Sequence, residues 1–233
     1  MDWETVIQFD KQLLLTLNGS DSIFLDGLIK TLTTAVTWVP LYISLLYLVV
    51  KNNDTLQKVL LIIACAGLCV LLAGSVDDMI VKPTVARWRP TRDPEIGYLV
   101  DVVNGYRGGS FGFFSAHASN TFSIAVFFSL LVRHRLFTFF LVAWSLVNCW
   151  TRMYLGVHFP GDILVGLLWG GLVGTLVWLL HQRISKQWPS MGGYVSEQYT
   201  CTGYQVEDID VVITVLVLTF IYAVLRACYF IYV

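Results

Sequence analysis

Long apolar segments separated by short polar ones dominate the hydrophobic pattern of the chain. Six of them lie near residues 31–50, 58–81, 116–132, 136–157, 162–181 and 210–232. Most approach the roughly 20 residues that an α-helix needs to cross a bilayer, and the third is shorter. The pattern predicts an all-α polytopic membrane bundle of about six transmembrane helices, forming a single membrane domain over residues 1–233.

The N-terminal residues follow a different rhythm. Apolar residues between Trp3 and Leu17 recur at helical spacing, whereas Glu4, Gln8 and Lys11 lie off that face. This pattern predicts an amphipathic helix over 2–18, at the membrane surface or against the bundle. The longest polar connection, 83–114, is rich in Arg, Gly and Pro, and we expect a functional loop with a short helix of its own near 94–105.

Composition agrees with a membrane protein. Of the 233 residues, 56% are hydrophobic and only 13% are charged, whereas soluble domains carry about 25% charged residues. The formal net charge of −1 provides no basic stripe, so we expect no nucleic-acid partner. The five cysteines form no CxxC pair and are expected to be small apolar residues rather than metal ligands or a disulfide framework.

Loop charges give an orientation. Short segments beside the helix ends on one side carry Lys51, Lys58, Arg133, Arg135, Arg183 and Lys186. The positive-inside rule places this side in the cytoplasm. The other side, with the 83–114 loop, then faces the periplasm of a bacterial inner membrane.

The order of the spans brings polar residues from distant segments to that outer side. The second span ends, the third begins, the fourth ends and the fifth begins there, because neighbouring spans alternate in direction. These ends carry Lys82, Arg87, Arg89, Ser115, His117, Arg152, His158 and Asp162. Ionisable groups near a membrane are costly and usually serve function.

This set of residues predicts an anion site with added acid–base chemistry. Cations and helix N-termini suit phosphate oxygens. Asp162, four residues after His158, can hold one imidazole nitrogen and leave the other as a nucleophile. His117 can protonate a leaving oxygen. Cations stabilise the charge, and a metal at His158 and Asp162 lacks an evident third ligand, so no metal or other cofactor is expected.

Three stretches carry a family resemblance. "KPTVARWRP" (82–90) fits Lys-x6-Arg-Pro, "FSAHA" (114–118) is similar to Pro-Ser-Gly-His, and "TRMYLGVHFPGD" (151–162) fits Ser-Arg-x5-His-x3-Asp. Together they resemble the signature motifs of the type 2 phosphatidic acid phosphatase superfamily. The resemblance covers roughly residues 13–181. The last span, 210–232, lies outside it as an extra helix.

The resemblance implies a role for each motif residue. Lys82, Arg89 and Arg152 hold phosphate oxygens, and Ser115 adds donors with the backbone near Ala116. His158 forms a phosphohistidine, Asp162 orients it, and His117 is the acid on the leaving group.

The chain departs from the pattern at Phe114, Ala116 and Thr151, none of which removes a titrating group. Arg87 and Arg107 lie outside the pattern and are expected to contact a second phosphate or sugar, or the acids of their own loop (Asp93, Glu95 and Asp101).

The expected function is metal-independent hydrolysis of a phosphate monoester or diphosphate on a membrane lipid. Undecaprenyl diphosphate, lipid A phosphate and phosphatidylglycerophosphate are the substrates that the resemblance suggests. Two alternatives remain at this point. A phosphotransferase would pass the phosphoryl group from His158 to an acceptor hydroxyl, and a transporter or anion channel would use the same cations, although transporters tend to place charges at mid-membrane.

Overall fold

The computed structural model describes residues 2–186 and 197–230. The α-helices are α1 (Trp3–Leu17), α2 (Ile23–Thr33), α3 (Val39–Lys51), α4 (Leu56–Val76), α5 (Lys82–Val85), α6 (Ala116–Val132), α7 (Arg135–Tyr154), α8 (Pro160–Ser185) and α9 (Val206–Phe230). A 3₁₀ turn, Ala35–Trp38, precedes α3, and one π-helical turn, Asp77–Val81, joins α4 to α5. The described part of the chain contains no β-strand, only two isolated bridges.

Four helical segments in this part of the chain are long and apolar enough to cross a membrane. They are Leu56–Val85, Arg135–Tyr154, Pro160–Ser185 and Val206–Tyr229. The pair Ile23–Thr33 and Ala35–Lys51 makes a fifth if its two parts form one span, and α6 is a shorter apolar helix of 17 residues. The predicted all-α polytopic bundle is confirmed, with four to five candidate spans by this measure instead of about six.

The prediction of one continuous span over 31–50 is wrong. The helix breaks at Thr34 and its two parts are bent by 67°. Thr34 has extended backbone angles, and its hydroxyl donates to the carbonyl of Lys30, while the Thr37 hydroxyl donates to the carbonyl of Thr31. Pro40 lies in the first turn of α3, where its missing N–H is tolerated. Side-chain bonds to the backbone thus replace the helical ladder at this point.

The short helix predicted near 94–105 is also absent. Residues 94–99 form successive turns, and only a 3₁₀ turn, Val103–Gly105, follows. Asp93 explains the turns, because its carboxylate accepts the N–H groups of Glu95 and Ile96. An aspartate that bonds to the following backbone favours a turn over a helix.

The amphipathic helix predicted over 2–18 is present as α1, but its polar residue Lys11 is not solvated. Lys11 is buried, and its ammonium group lies 2.7 Å from the Glu95 carboxylate and 3.3 Å from that of Asp93. Leu14, fully buried, packs with Ile96 and Phe159. The N-terminal helix therefore attaches the 83–114 loop to the bundle.

Helices α6 and α8 pack at backbone distance. A Cβ atom added to Gly166 or Gly174 would lie 2.7 Å or 2.6 Å from the carbonyl oxygen of Ser115 or Ser123, respectively, and one on Gly170 would collide with the Ser119 carbonyl. The opposite face of α8 exposes Leu164, Leu168, Leu172 and Leu176 at four-residue spacing. One face of α8 thus approaches α6, and the other presents leucine to the bilayer.

The C-terminal helix runs from the cytoplasmic end predicted from the loop charges towards the opposite end. Asp208, in its first turn, accepts hydrogen bonds from Tyr47 and Asn52 at the end of α3. Thr202, just before α9, donates to the carbonyl of Val132 at the end of α6. The predicted extra helix over 210–232 is present as Val206–Phe230, and residues 231–232 lie outside the described residues.

The contact between α6 and α8 predicts a specific intolerance to one methyl group. We expect Gly170→Ala to lower the free energy of unfolding in detergent by about 1–3 kcal/mol, because the helices must separate to admit a Cβ. Gly67→Ala is the matched control: it adds the same methyl group to a transmembrane helix with nothing within 4 Å. Thermal unfolding of both variants checks this, and equal melting temperatures would contradict close packing at Gly170.

Candidate active site

One end of the bundle collects the predicted residues. α5 ends there at Val85, α6 begins at Ala116, α7 ends at Tyr154 and α8 begins at Pro160. The Lys and Arg residues assigned to the cytoplasmic side lie at or just beyond the opposite ends of these helices. Ser115, Arg152, His158 and Asp162 are all at most 3% exposed.

The Lys82 ammonium group is held by two carboxylates. It lies 2.7 Å from the Asp77 carboxylate and 2.6 Å from that of Asp78. Asp78 is the helical neighbour four residues earlier. Asp77 is fully buried and reaches Lys82 because the π-helical turn places residues five apart on one face.

Backbone pairing positions Arg89. The N–H of Arg89 donates to the Ser110 carbonyl, and the N–H of Gly112 donates to the Arg87 carbonyl, so the strand-like segments at the two ends of the loop lie side by side. The Nε of Arg89 donates to the carbonyl of Phe111 at 3.1 Å. Its Nη1 lies 3.4 Å from both the Val157 carbonyl and the Nε2 of His158. Neutral oxygens therefore aim this guanidinium at the imidazole.

Arg152, in the last turn of α7, is anchored by hydroxyl groups. Its Nη1 donates to Thr33 at the end of α2, at 2.8 Å, and its Nη2 to the Tyr106 hydroxyl, at 3.1 Å. Within the described residues, neither Arg152 nor Arg89 forms an ion pair with a carboxylate, unlike Lys82. These two arginines keep a positive charge that no neighbouring anion in contact neutralises.

The start of α6 supplies backbone donors. The Oγ of Ser115 caps the helix by accepting the N–H of Ala118, and the Ser115 N–H donates to the backbone carbonyl of Asp162 at 3.2 Å. The first N–H groups of a helix, here those of Ala116 and His117, lack partners within the helix. His117, in the first turn of the helix, is exposed at this end of the bundle.

His158 lies in the turn between α7 and α8. Gly156 makes this turn with φ of +62° and a tight approach to Val100 that leaves no room for a side chain. The Nδ1 of His158 lies 3.6 Å from the Oδ2 of Asp162, and its Nε2 faces Arg89. Burial lowers the pKa of His158 to about 4; Asp162 opposes this shift, and the charges of Arg89 and Arg152 reinforce it. The imidazole is therefore neutral at pH 7, as a nitrogen nucleophile must be.

Asp162 has partners for both of its oxygens. Its Oδ2 accepts the N–H of Phe159 at 3.0 Å, and its Oδ1 accepts from Arg87 at 2.7 Å. Arg87 also donates to the Asp10 carboxylate of α1 at 2.7 Å and lies over the Phe159 ring, 4.2 Å from the centroid. The side chain of Asp162 is thereby fixed in position.

The two arginines considered as further substrate contacts take other partners. Arg87 holds Asp10 and Asp162, neither of which was among the expected partners, and the loop acids Asp93 and Glu95 hold Lys11 instead. Arg107 is exposed and donates from Nη1 to the Thr91 carbonyl at 3.2 Å. A substrate contact by Arg107 stays a prediction.

Sequence reasoning missed four side chains that support the site. They are Asp10, Thr33, Asp77 and Tyr106, which contact Arg87, Arg152, Lys82 and Arg152, respectively. The adjacent acids "DD" at 77–78 were the only signal for one of them. The other three come from segments without a motif, and only the tertiary fold brings them to the site.

The arrangement suits phosphoryl chemistry. One end of the bundle carries two unneutralised guanidinium groups, helix N-terminal donors and a neutral, buried imidazole beside a carboxylate. These are the parts that stabilise phosphate oxygens and supply a nucleophile to phosphorus.

Comparison with known proteins agrees with this chemistry. The family model described as the PAP2 superfamily matches residues 55–186, which contain all three motifs. A lipid A 4'-phosphatase from Bacteroides thetaiotaomicron is 39% identical over 79% of this chain and 82% of its own length. A lipid A 4'-phosphatase from Porphyromonas gingivalis is 34% identical over 79% of this chain and 78% of its own length. No solved structure matches the chain significantly.

The predicted motifs, the family match and the two relatives agree on one assignment, and the apolar helices give the setting. The chain belongs to the PAP2 superfamily, as a multi-pass membrane protein with the activity of a lipid phosphatase.

Proposed function

We propose that this lipid phosphatase removes a phosphate group from lipid A on the periplasmic face of the bacterial inner membrane. Both relatives are named for that activity, and they align with about four-fifths of the chain. The loop Lys and Arg residues at the opposite ends of the helices support the orientation. The observation that carries the proposal is the 3.4 Å separation between Arg89 and the Nε2 of a neutral, buried His158.

Phosphate binding falls chiefly to two arginines. Arg89 and Arg152 are oriented by neutral oxygens, so their charges are available to an incoming phosphate. Lys82, already paired with two carboxylates, contributes a weaker charge. The N–H groups of Ala116 and His117, at the positive end of the α6 dipole, complete the cradle.

The first chemical step transfers the phosphoryl group to His158. The Nε2 lone pair attacks phosphorus while the bond between phosphorus and the sugar oxygen breaks. His117, whose protonated form is favoured by the negative charge of the bound phosphate, gives a proton to the departing oxygen, which leaves as the lipid hydroxyl. Asp162, with its Oδ2 3.6 Å from Nδ1, stabilises the positive charge that the imidazole gains.

The second step releases phosphate. Water attacks the phosphohistidine, the bond between phosphorus and Nε2 breaks, and inorganic phosphate leaves. His117, deprotonated by the first step, accepts the proton from water. The two histidines thereby return to their starting states.

The nucleophile is tested by His158→Ala. We expect phosphate release from lipid A to fall on the order of a thousandfold or more, because the proposed covalent intermediate forms on the His158 side chain. Wild-type protein quenched during turnover of lipid A with a labelled phosphate should carry acid-labile label, and His158→Ala should carry none.

His134→Asn is the matched control for that experiment. His134 lies at the opposite end of the bundle, where its Nδ1 caps α7, and asparagine can keep the cap. Its turnover should equal that of the wild type. Retained turnover or label in His158→Ala, with an unchanged melting temperature, would refute the assignment of His158.

The substrate is tested with a panel of purified lipids in EDTA. We expect undiminished phosphate release from lipid A, and at least about tenfold lower kcat/KM, roughly 1.4 kcal/mol, for undecaprenyl diphosphate and phosphatidylglycerophosphate. Mass spectrometry of the product identifies the phosphate removed. Activity on the other lipids but not on lipid A would refute lipid A as the substrate. Loss of activity in EDTA would refute the metal-independent mechanism. Transfer of the phosphoryl group to an added alcohol in preference to water would identify a phosphotransferase.

A further inference from the structure

A cavity of about 530 Å³ lies between the bend after α2 and the second half of α9. We call it the α2/α9 groove. Its walls lie within residues 34–40 and 215–226, all of which fall outside the family match at 55–186. Its volume is in the range of sites that take a small organic ligand. The catalytic motifs described above contribute no residue to it.

The lining is apolar despite its threonines. Thr34, Thr37 and Thr219 each donate their hydroxyl to a backbone carbonyl, of Lys30, Thr31 and Val215, respectively. Because these hydroxyl groups already donate to the backbone, the threonines offer their methyl groups as the surface that a ligand would contact. Val36 and Leu218 add apolar surface from the two walls, and Arg226 contributes a long side chain that donates to Tyr222.

The groove adjoins the phosphate site through the backbone. Thr34 lines the groove, and the preceding residue, Thr33, holds the guanidinium of Arg152 at 2.8 Å. α9 runs from the cytoplasmic end towards the end that carries the active site, so its second half lies in the same half of the bundle. The wall of the groove and the Arg152 site therefore share adjacent residues of the chain, Thr34 and Thr33.

We propose that the α2/α9 groove binds an acyl chain of the lipid whose phosphate is hydrolysed. The proposal rests on the lipid A phosphatase function proposed above and extends it to a subsite for the apolar part of the substrate. Because the groove uses helices outside the family match, it would set a chain preference particular to this protein and its close relatives.

Bulky substitutions on the two walls test the groove. Val36→Trp and Leu218→Trp should each raise KM for fully acylated lipid A by about tenfold or more, about 1.4 kcal/mol, by filling the space. Neither should change kcat/KM for the deacylated, phosphorylated disaccharide. Leu225→Trp is the matched control, since Leu225 is exposed on α9 and does not line the groove, and it should leave both substrates unaffected.

The outcomes separate the groove from the proposed function. Unchanged KM for lipid A in both groove variants would mean that only bulk lipid occupies the space and would overturn the proposal, as would equal losses on both substrates. Wild-type protein inactive on both substrates would instead refute the lipid A phosphatase function, and the acyl subsite with it.

A second, independent observation concerns Asp10 and Arg87. The Asp10 carboxylate accepts Arg87 at 2.7 Å and also the N–H of Gly161, at 2.8 Å, in the first turn of α8. Arg87 bridges from there to the fully buried Asp162. The Asp10 carboxylate of the N-terminal helix is thus three contacts from His158, through the Arg87 guanidinium and the Asp162 carboxylate.

We infer that Asp10 and Arg87 are positioning residues that set the net charge beside Asp162 and hence the proton affinity of His158. Removing Asp10 leaves Arg87 with its full charge facing Asp162, which disfavours a protonated His158. Removing Arg87 leaves Asp162 with an uncompensated negative charge, which favours the protonated form of His158. Within residues 2–186 and 197–230, Arg89, Arg152 and His117 also act on His158, and both substitutions leave them in place.

The two variants should therefore move one titration in opposite directions. The chain contains four histidines, which can be labelled with ¹³C. The resonance of His158 is the one that disappears from the spectrum of the His158→Ala variant. We expect His158 in the Arg87→Gln variant to become protonated at a higher pH than in the wild type. In the Asp10→Asn variant, His158 should stay neutral down to a lower pH than in the wild type. Both should lower kcat for lipid A about tenfold with KM little changed.

Opposite shifts distinguish this role from a merely structural one. Loosening of the site would move both variants in the same direction, and that result, or no shift in either, would overturn the inference. Asp10→Asn keeps an oxygen for the Gly161 N–H, so the local fold is preserved. The titration needs no substrate, so it stands even if the lipid proves to be a different one.

Discussion

The close approach of α6 and α8 is the constraint on which the rest of the site depends. Gly166, Gly170 and Gly174 let the two backbones meet where any side chain would collide with serine carbonyls. That contact continues to the N-terminal end of each helix, where the Ser115 N–H donates to the Asp162 backbone carbonyl. The helix that carries His117 and the helix that follows His158 therefore begin at one depth, which brings two histidines from distant motifs close enough for their charges to interact.

Carboxylates divide the cations of the site into two groups. Lys82 and Arg87 are each held by two aspartates, whereas Arg89 and Arg152 are oriented by carbonyls and hydroxyls. A paired cation is already compensated and acts mainly on its neighbours. An arginine oriented by neutral oxygens keeps its charge for an anionic ligand, because the desolvated cation gains most when a phosphate arrives. The motif pattern alone gives Lys82, Arg89 and Arg152 one common role, and the pairing separates them.

Hydropathy predicted most of the helices because their signal is local. The predicted segments 136–157 and 162–181 correspond to Arg135–Tyr154 and Pro160–Ser185, with ends displaced by a few residues. The failures came where side chains bond to the backbone. Thr34 and Thr37 break the predicted span 31–50, and Asp93 turns the chain where a short helix was expected. An average over an apolar window does not register such bonds.

Two kinds of information thus contributed separately. Apolar run lengths and three motifs at span ends were enough for the membrane bundle, the family and the residues gathered at one end, since each depends on spacing along the chain. The partners of those residues, including Asp10 on Arg87, Thr33 and Tyr106 on Arg152 and Asp77 on Lys82, came only from the folded chain. Such contacts join segments that carry no motif, or pass through a π-helical turn, and depend on how helices approach in three dimensions rather than on any periodicity of the sequence.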